Sequence, residues 1–121
     1  MCSLTRRTDT RRSTLLIPVV VLLLGCGQPR PSEIALVNHS AVDLREVTIS
    51  GAGFTQQIEL IKAGDTARVD VFPVGESGLE IAFTTAGGKS VRLPPQGYFE
   101  GGYKVRAVIG PNLEADVDSA I

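Results

Sequence analysis

The sequence predicts an all-β domain, a small antiparallel β-sandwich, and three observations carry that prediction. Beyond residue 32 the apolar residues recur with a period of two rather than 3.6, the mark of strands with one wet and one buried face. Clusters of Gly, Pro, Asn and Asp interrupt that alternation at short intervals. Seven or more short strands so spaced suit a two-layer sandwich, with a small barrel as the other architecture.

The strands are expected near residues 33–38, 43–50, 54–61, 66–73, 78–85, 89–93, 97–100, 103–109 and 113–118. Val47 and Ile49 alternate with Glu46 and Thr48, and Ile58 and Leu60 with Gln57 and Glu59. Ala67, Val69 and Val71 alternate with Arg68 and Asp70; Leu79, Ile81 and Phe83 with Glu80, Ala82 and Thr84. Turns fall at Asn38-His39-Ser40, Gly51-Ala52-Gly53, Ala63-Gly64-Asp65, Gly75-Glu76-Ser77-Gly78, Gly87-Gly88, Pro94-Pro95-Gln96-Gly97, Gly101-Gly102 and Gly110-Pro111-Asn112. The number and spacing of the strands resemble an immunoglobulin-like architecture, without the disulfide and buried Trp of antibody domains.

The last two strands can be registered by hand. If Gly110-Pro111-Asn112 is the hairpin loop, Ile109 faces Leu113, Ala107 faces Ala115 and Val105 faces Val117. On the other face Arg106 then meets Asp116, and Lys104 meets Asp118. Such matched cross-strand pairs contribute roughly 0.2–1 kcal/mol each, and a slip of one residue sets charge against core.

The 121 residues bound the chain to one domain, and 12 Lys+Arg against 13 Asp+Glu give a net charge of −1, with no basic footprint for nucleic acid. The charge is unevenly placed. Arg6, Arg7, Arg11 and Arg12 precede residue 26 with Asp9 as the one acid among them, so the body is mildly acidic. Residues 15–24 follow as an apolar run with Pro18 within it. A spanning helix needs about 20 apolar residues, whereas a signal-peptide core needs roughly 7 to 15 behind a positive segment. The run fits the second description.

Leu23-Leu24-Gly25-Cys26, set directly behind that run, resembles the lipobox of bacterial lipoproteins, with Leu at −3, a small residue at −1 and Cys at +1. The resemblance covers about residues 1–27. It implies a thiol that receives diacylglycerol, cleavage between Gly25 and Cys26, and a mature protein held to the membrane by lipid on Cys26. Gly27, where an Asp implies inner-membrane retention in two-membrane bacteria, implies the periplasmic side of the outer membrane. Thr10-Arg11-Arg12-Ser13-Thr14-Leu15-Leu16 loosely resembles a twin-arginine export motif. The expected organisation is a signal peptide at 1–25, a lipidated cysteine and tether at 26–32 with Pro29 and Pro31, and the sandwich at 33–121. Cys2 and Cys26 are the two cysteines, so the body folds without a disulfide.

Few residues of the body invite chemistry. Glu114, Asp116 and Asp118 line one strand face, but a calcium site needs carbonyls and a loop that a flat strand does not supply, and solvated ion pairs explain them better. His39 is the one histidine, short of the three or four N/S ligands that zinc takes. A Ser40–His39–Asp43 set is formally a triad, yet sequence neighbours seldom hold triad geometry, and an exposed turn histidine is the simpler account. Asn38-His39-Ser40 matches an N-glycosylation triplet, without meaning on a bacterial export route. Gly87-Gly88-Lys89-Ser90 lacks the spacing of a phosphate loop and reads as a hairpin turn. No pattern calls for a metal or cofactor.

Residues 97–103 hold Tyr98, Phe99 and Tyr103, three of the body's six aromatic residues, among glycines. Exposed aromatics anchor contacts, so these three are the candidate surface for a protein or glycan partner; the alternative is a strand corner with Tyr103 and one of Tyr98 or Phe99 in the core. The expected function is a non-enzymatic, lipid-anchored binding or accessory module of the cell envelope. A structural envelope-maintenance lipoprotein is the second expectation, and a small hydrolase the remote third.

Overall fold

A computed structural model describes residues 30–121; Gly25, Cys26 and the signal segment 1–25 lie outside the described residues. Eight strands form two four-stranded sheets packed face to face, with no helix among the described residues. They are β1 (Ser32–Asn38), β2 (Leu44–Gly51), β3 (Phe54–Ile61), β4 (Thr66–Val71), β5 (Ser77–Thr85), β6 (Ser90–Phe99), β7 (Lys104–Ile109) and β8 (Ala115–Ala120). One sheet has the order β4-β1-β7-β8 and the other β3-β2-β5-β6. The expected sandwich is therefore the fold. All pairs are antiparallel except β1 with β7, which run parallel.

The alternation in the sequence sorts residues as expected on most strands. Leu79, Ile81 and Phe83 of β5 and Val105, Ala107 and Ile109 of β7 are buried between the sheets, against Ile34, Leu36, Val47 and Ile49. β1 is buried on both faces, Ala35 and Val37 included, because it lies in the middle of its sheet. Ala35 stands between Arg68 and Arg106 in the two ladders, whose long aliphatic stems suit covering a small residue.

Both ends of β1 are fixed by buried polar side chains. Ser32 Oγ donates to the carbonyl of Glu100 at 2.7 Å. Asn38, fully buried, donates from Nδ2 to the carbonyls of Val42 and Ile61, both at 2.9 Å, and accepts from Ser40 N and Oγ through Oδ1. Ile61 belongs to the opposite sheet, so one side chain joins the two layers. Its burial also keeps the glycosylation triplet closed in the folded domain.

Four sequence expectations shift. Pro94-Pro95-Gln96-Gly97 is not a turn: the stretches 89–93 and 97–100 merge into the single strand β6. Its pairing with β5 slips twice, between Ile81 and Leu79 and between Leu79 and Ser77, absorbing extra residues as bulges. β6 lies at a sheet edge, where prolines cost no ladder hydrogen bond. Gly97 sits at φ 78°, and a Cβ there would lie 2.7 Å from Val117 of β8, so only glycine lets these edges close.

On β2 the ladder with β5 shifts between Arg45 and Thr48, and Glu46 takes φ 50°. This kink lets Leu44 and Val47, three residues apart, both face the core. β3 follows it: Ile58 and Ile61 pair with Val47 and Leu44 and turn inward, whereas Leu60, expected inside, is exposed.

The final hairpin keeps the expected faces with different partners. Ile109 pairs with Ala115, Ala107 with Val117, Val105 with Ser119, Arg106 with Asp118 and Lys104 with Ala120. The loop is centred one residue later than expected. Leu113 N donates to Gly110 O and Gly110 N to Glu114 O, both at 2.9 Å, and Leu113 takes φ 62°. Pro111 presets the second position of the turn, which places Leu113 rather than Gly110 at the left-handed position. Among the described residues the ion pair within 4.0 Å is Arg92–Glu80, at 3.2 Å on exposed surface.

The start of the domain also moves. Gly102 N donates to Pro31 O at 3.1 Å and Glu33 N to Tyr103 O at 3.2 Å, so residues 30–32 belong to the fold and not to the tether.

Three substitutions test these assignments by urea denaturation. Asn38→Ala orphans several buried groups and is expected to lose on the order of 3 kcal/mol. Phe99→Ala empties a core site and is expected to lose about 3–5 kcal/mol. Glu46→Gly relieves a left-handed backbone on an exposed residue and is expected to gain up to about 1 kcal/mol; a loss there would contradict the kink.

Candidate functional site

The aromatic corner is built by the end of β6, the turn 100–103 and the start of β7. Alternation along β6 splits its two aromatic neighbours. Phe99 is fully buried and packs tilted against Phe54, ring centroids 6.0 Å apart. It cannot contact a partner, which corrects its place in the candidate surface. Tyr98 points the other way and is exposed, with Tyr103 edge-on to it at 6.2 Å and 81°. Tyr103 is half-buried, its ring resting on the core cluster. The strand corner weighed against a contact surface is found for Phe99, which lies in the core, and in part for Tyr103, while Tyr98 is left on the surface.

Hydrogen bonds hold this pair in place. Tyr98 OH donates to Glu100 Oε2, and Ser119 Oγ donates to the Tyr98 carbonyl. Tyr103 N donates to Glu100 O at 3.2 Å, closing the turn. The hydrogen bond to Glu100, with partial loss of water and the negative charges of Glu100 and Glu76, pushes the Tyr98 hydroxyl up to about 12. Tyr98 is therefore a neutral donor, amphipathic in the way that suits the boundary between water and an apolar phase.

Arg30 is the residue of this corner that sequence reasoning passed over. A Cβ on Gly101 would lie 2.7 Å from the Arg30 carbonyl, and one on Gly102, at φ 91°, would lie 2.7 Å from its guanidinium. The paired glycines exist to let Arg30 lie across the turn. Gly101-Gly102 was legible as a turn, but nothing local marks what crosses it.

The other candidates do not assemble. Ser40 Oγ is bonded to Asn38 Oδ1 and to the Val42 carbonyl, and Asp43 Oδ1 accepts from Ala63 N at 3.0 Å, so neither is turned to His39. His39 is exposed and lines an open depression with Arg106, Glu114 and Asp116, at the opposite end from Arg30. Among the described residues no three His, Cys, Asp or Glu side chains converge on a metal position. Gly87-Gly88-Lys89-Ser90 forms the β5–β6 hairpin, with Gly88 at φ 89° and Thr85 N bonded to Lys89 O. Two further open depressions flank Glu46 on the outer face of the second sheet, one of them with Thr48, Gln57 and Glu59.

No family model matches the chain, and no curated protein is significantly similar to it. In fold it is similar to an NMR structure of a protein from Eubacterium rectale, with a TM-score of 0.50, 17% identity, and coverage of 74% of this chain and 87% of that one. At such identity the likeness shows the sandwich alone, the same architecture written in another sequence.

Proposed function

We propose that the mature chain is a non-enzymatic, lipid-anchored module of the cell envelope, acting as a binding or accessory domain. The observation that carries this is the placing of Cys26 relative to the fold. Leu23-Leu24-Gly25-Cys26 follows a short apolar run and a basic head, and Arg30, four residues after Cys26, already lies against the folded domain at Gly101 and Gly102. A lipid on Cys26 would therefore sit close in sequence to a domain whose described residues assemble a core of their own, from Ile34 to Ile109.

The described residues offer open depressions lined by mixed polar side chains. Such surfaces suit contact with a protein or glycan in the envelope. The His39, Arg106, Glu114 and Asp116 depression lies at the end far from Arg30, where an anchored domain presents itself to the periplasm or the exterior. Export to the periplasmic side of an outer membrane agrees with Gly27 after the cysteine.

Mass spectrometry of the mature N-terminus tests the anchor: Cys26 as the first residue, carrying the mass of diacylglycerol and acyl chains, is expected. Cys26→Ser should move the chain from the membrane to the soluble fraction with its urea midpoint unchanged. An unmodified N-terminus at another residue would sink the proposal.

A further inference from the structure

We infer that the end of the sandwich bearing Arg30 rests on the lipid surface itself, with Phe72 and Val74 on one side of the chain's exit and Tyr98 and Tyr103 on the other. This rests on the lipid-anchor proposal and says which face the anchored domain turns to the membrane.

The strand ends define that face. Ser32 opposes Val71, Glu33 opposes Lys104, and Lys104 opposes Ala120, so β1 and β7 begin where β4 and β8 end. In the other sheet Gly51 opposes Phe54 and Ser77 opposes Phe99, and the Ser32–Glu100 hydrogen bond brings these ends level with the first. Arg30, the 51–54 turn, residues 72–76 and the 100–103 turn therefore share one end.

The exposed large apolar side chains concentrate there. Val74, Phe72 and Tyr98 are 73%, 49% and 45% exposed, and Ile121, next to the Ala120 that opposes Lys104, is 90% exposed, against 37% for each of Val42 and Leu60 elsewhere. Two of them are held and not trailing: Val74 N donates to Ala52 O at 2.9 Å and its side chain covers Gly53, while Tyr98 is held by Glu100 and Tyr103. β1 lies between β4 and β7, so the chain leaves the domain between the Phe72–Val74 loop and the tyrosine pair. Apolar side chains on both sides of the exit make a level contact and not a point.

The tether decides the occupant. From Cys26 to Arg30 the extended chain spans at most about 14 Å. A lipid buried at Cys26 keeps this end within that distance of the headgroups, and so high a local concentration makes a weak apolar contact sufficient. Tyrosines are enriched at the membrane–water boundary for the amphipathic character seen in Tyr98. Charge does not drive the contact, since Arg30 and Lys104 share this end with Glu33, Asp70, Glu76 and Glu100, so the contact does not require anionic lipid.

The chain contains no Trp, which permits single-probe depth measurement. The lipidated protein is reconstituted into phosphatidylcholine vesicles with plain or brominated acyl chains, carrying Val74→Trp, Tyr98→Trp or, at the far end, Val42→Trp. The expected result is blue-shifted emission, lost in brominated vesicles, for Val74→Trp and Tyr98→Trp, and none of this for Val42→Trp. Should one near-end variant fail to fold, the other carries the measurement. Equal emission in both vesicles at the near-end positions, while the protein still floats with the vesicles, overturns the docking and leaves the anchor standing. Protein that neither floats nor carries acyl mass on Cys26 overturns both.

Discussion

The pinning of β1 at its two ends is the constraint on which the rest of the sandwich depends. β1 is a middle strand of its sheet, buried on both faces, and a strand so enclosed has one allowed register. Ser32 and Asn38 set that register from opposite ends. The first ties the strand to the turn after β6, the second to Val42 and to β3 of the facing sheet. Buried polar groups are costly unless satisfied, so each excludes any arrangement that leaves its partners behind. The apolar layer supplies the drive to assemble, and these two side chains supply the uniqueness.

Irregularities elsewhere let two twisted sheets close around that strand. The Glu46 kink brings Leu44 and Val47 to the same side and carries Ile58 and Ile61 of β3 with it. The bulges of β6 bend the edge strand over β8, where Gly97 permits contact with Val117. Bulges in edge strands also discourage pairing with other chains. The kink shapes the outer surface as well, since depressions open on both sides of Glu46.

What the sequence disclosed, and what it withheld, follows the range of the interactions involved. Alternation is local, so the inward faces of β5 and β7 were legible from Leu79, Ile81, Phe83, Val105, Ala107 and Ile109. Hairpin partners depend on which residue adopts the left-handed conformation. A loop of Gly110-Pro111-Asn112 was the natural guess, but Leu113 takes the left-handed position and moves the centre of the loop one residue on. Pro94-Pro95 looked like a turn because proline breaks ladders in general, whereas an edge strand has a side with no ladder to break. Leu60 and Ile61 exchange places through a kink on a neighbouring strand, a cause absent from their own segment. In the aromatic corner the sequence left open which of Tyr98 and Phe99 is buried, since alternation separates the two without saying which faces in, and the docking of Arg30 on Gly101-Gly102 joins positions about seventy apart that no local pattern announces.

The parallel pairing of β1 with β7 has a consequence for the order in which the molecule can form. Among the described strands β1 is the first to leave the ribosome, and it finds β4 relatively soon. Its other edge, with Ile34, Leu36 and Val37 alongside, stays open until Lys104–Ile109 has followed. Contacts of such sequence separation are slow to close, since loop entropy opposes them until they are made. The nascent domain is thus obliged to wait, unfinished and with a sticky flank, for nearly its whole length. A chain interrupted before residue 104 would present that flank permanently, a template for aggregation where the finished protein has a central strand.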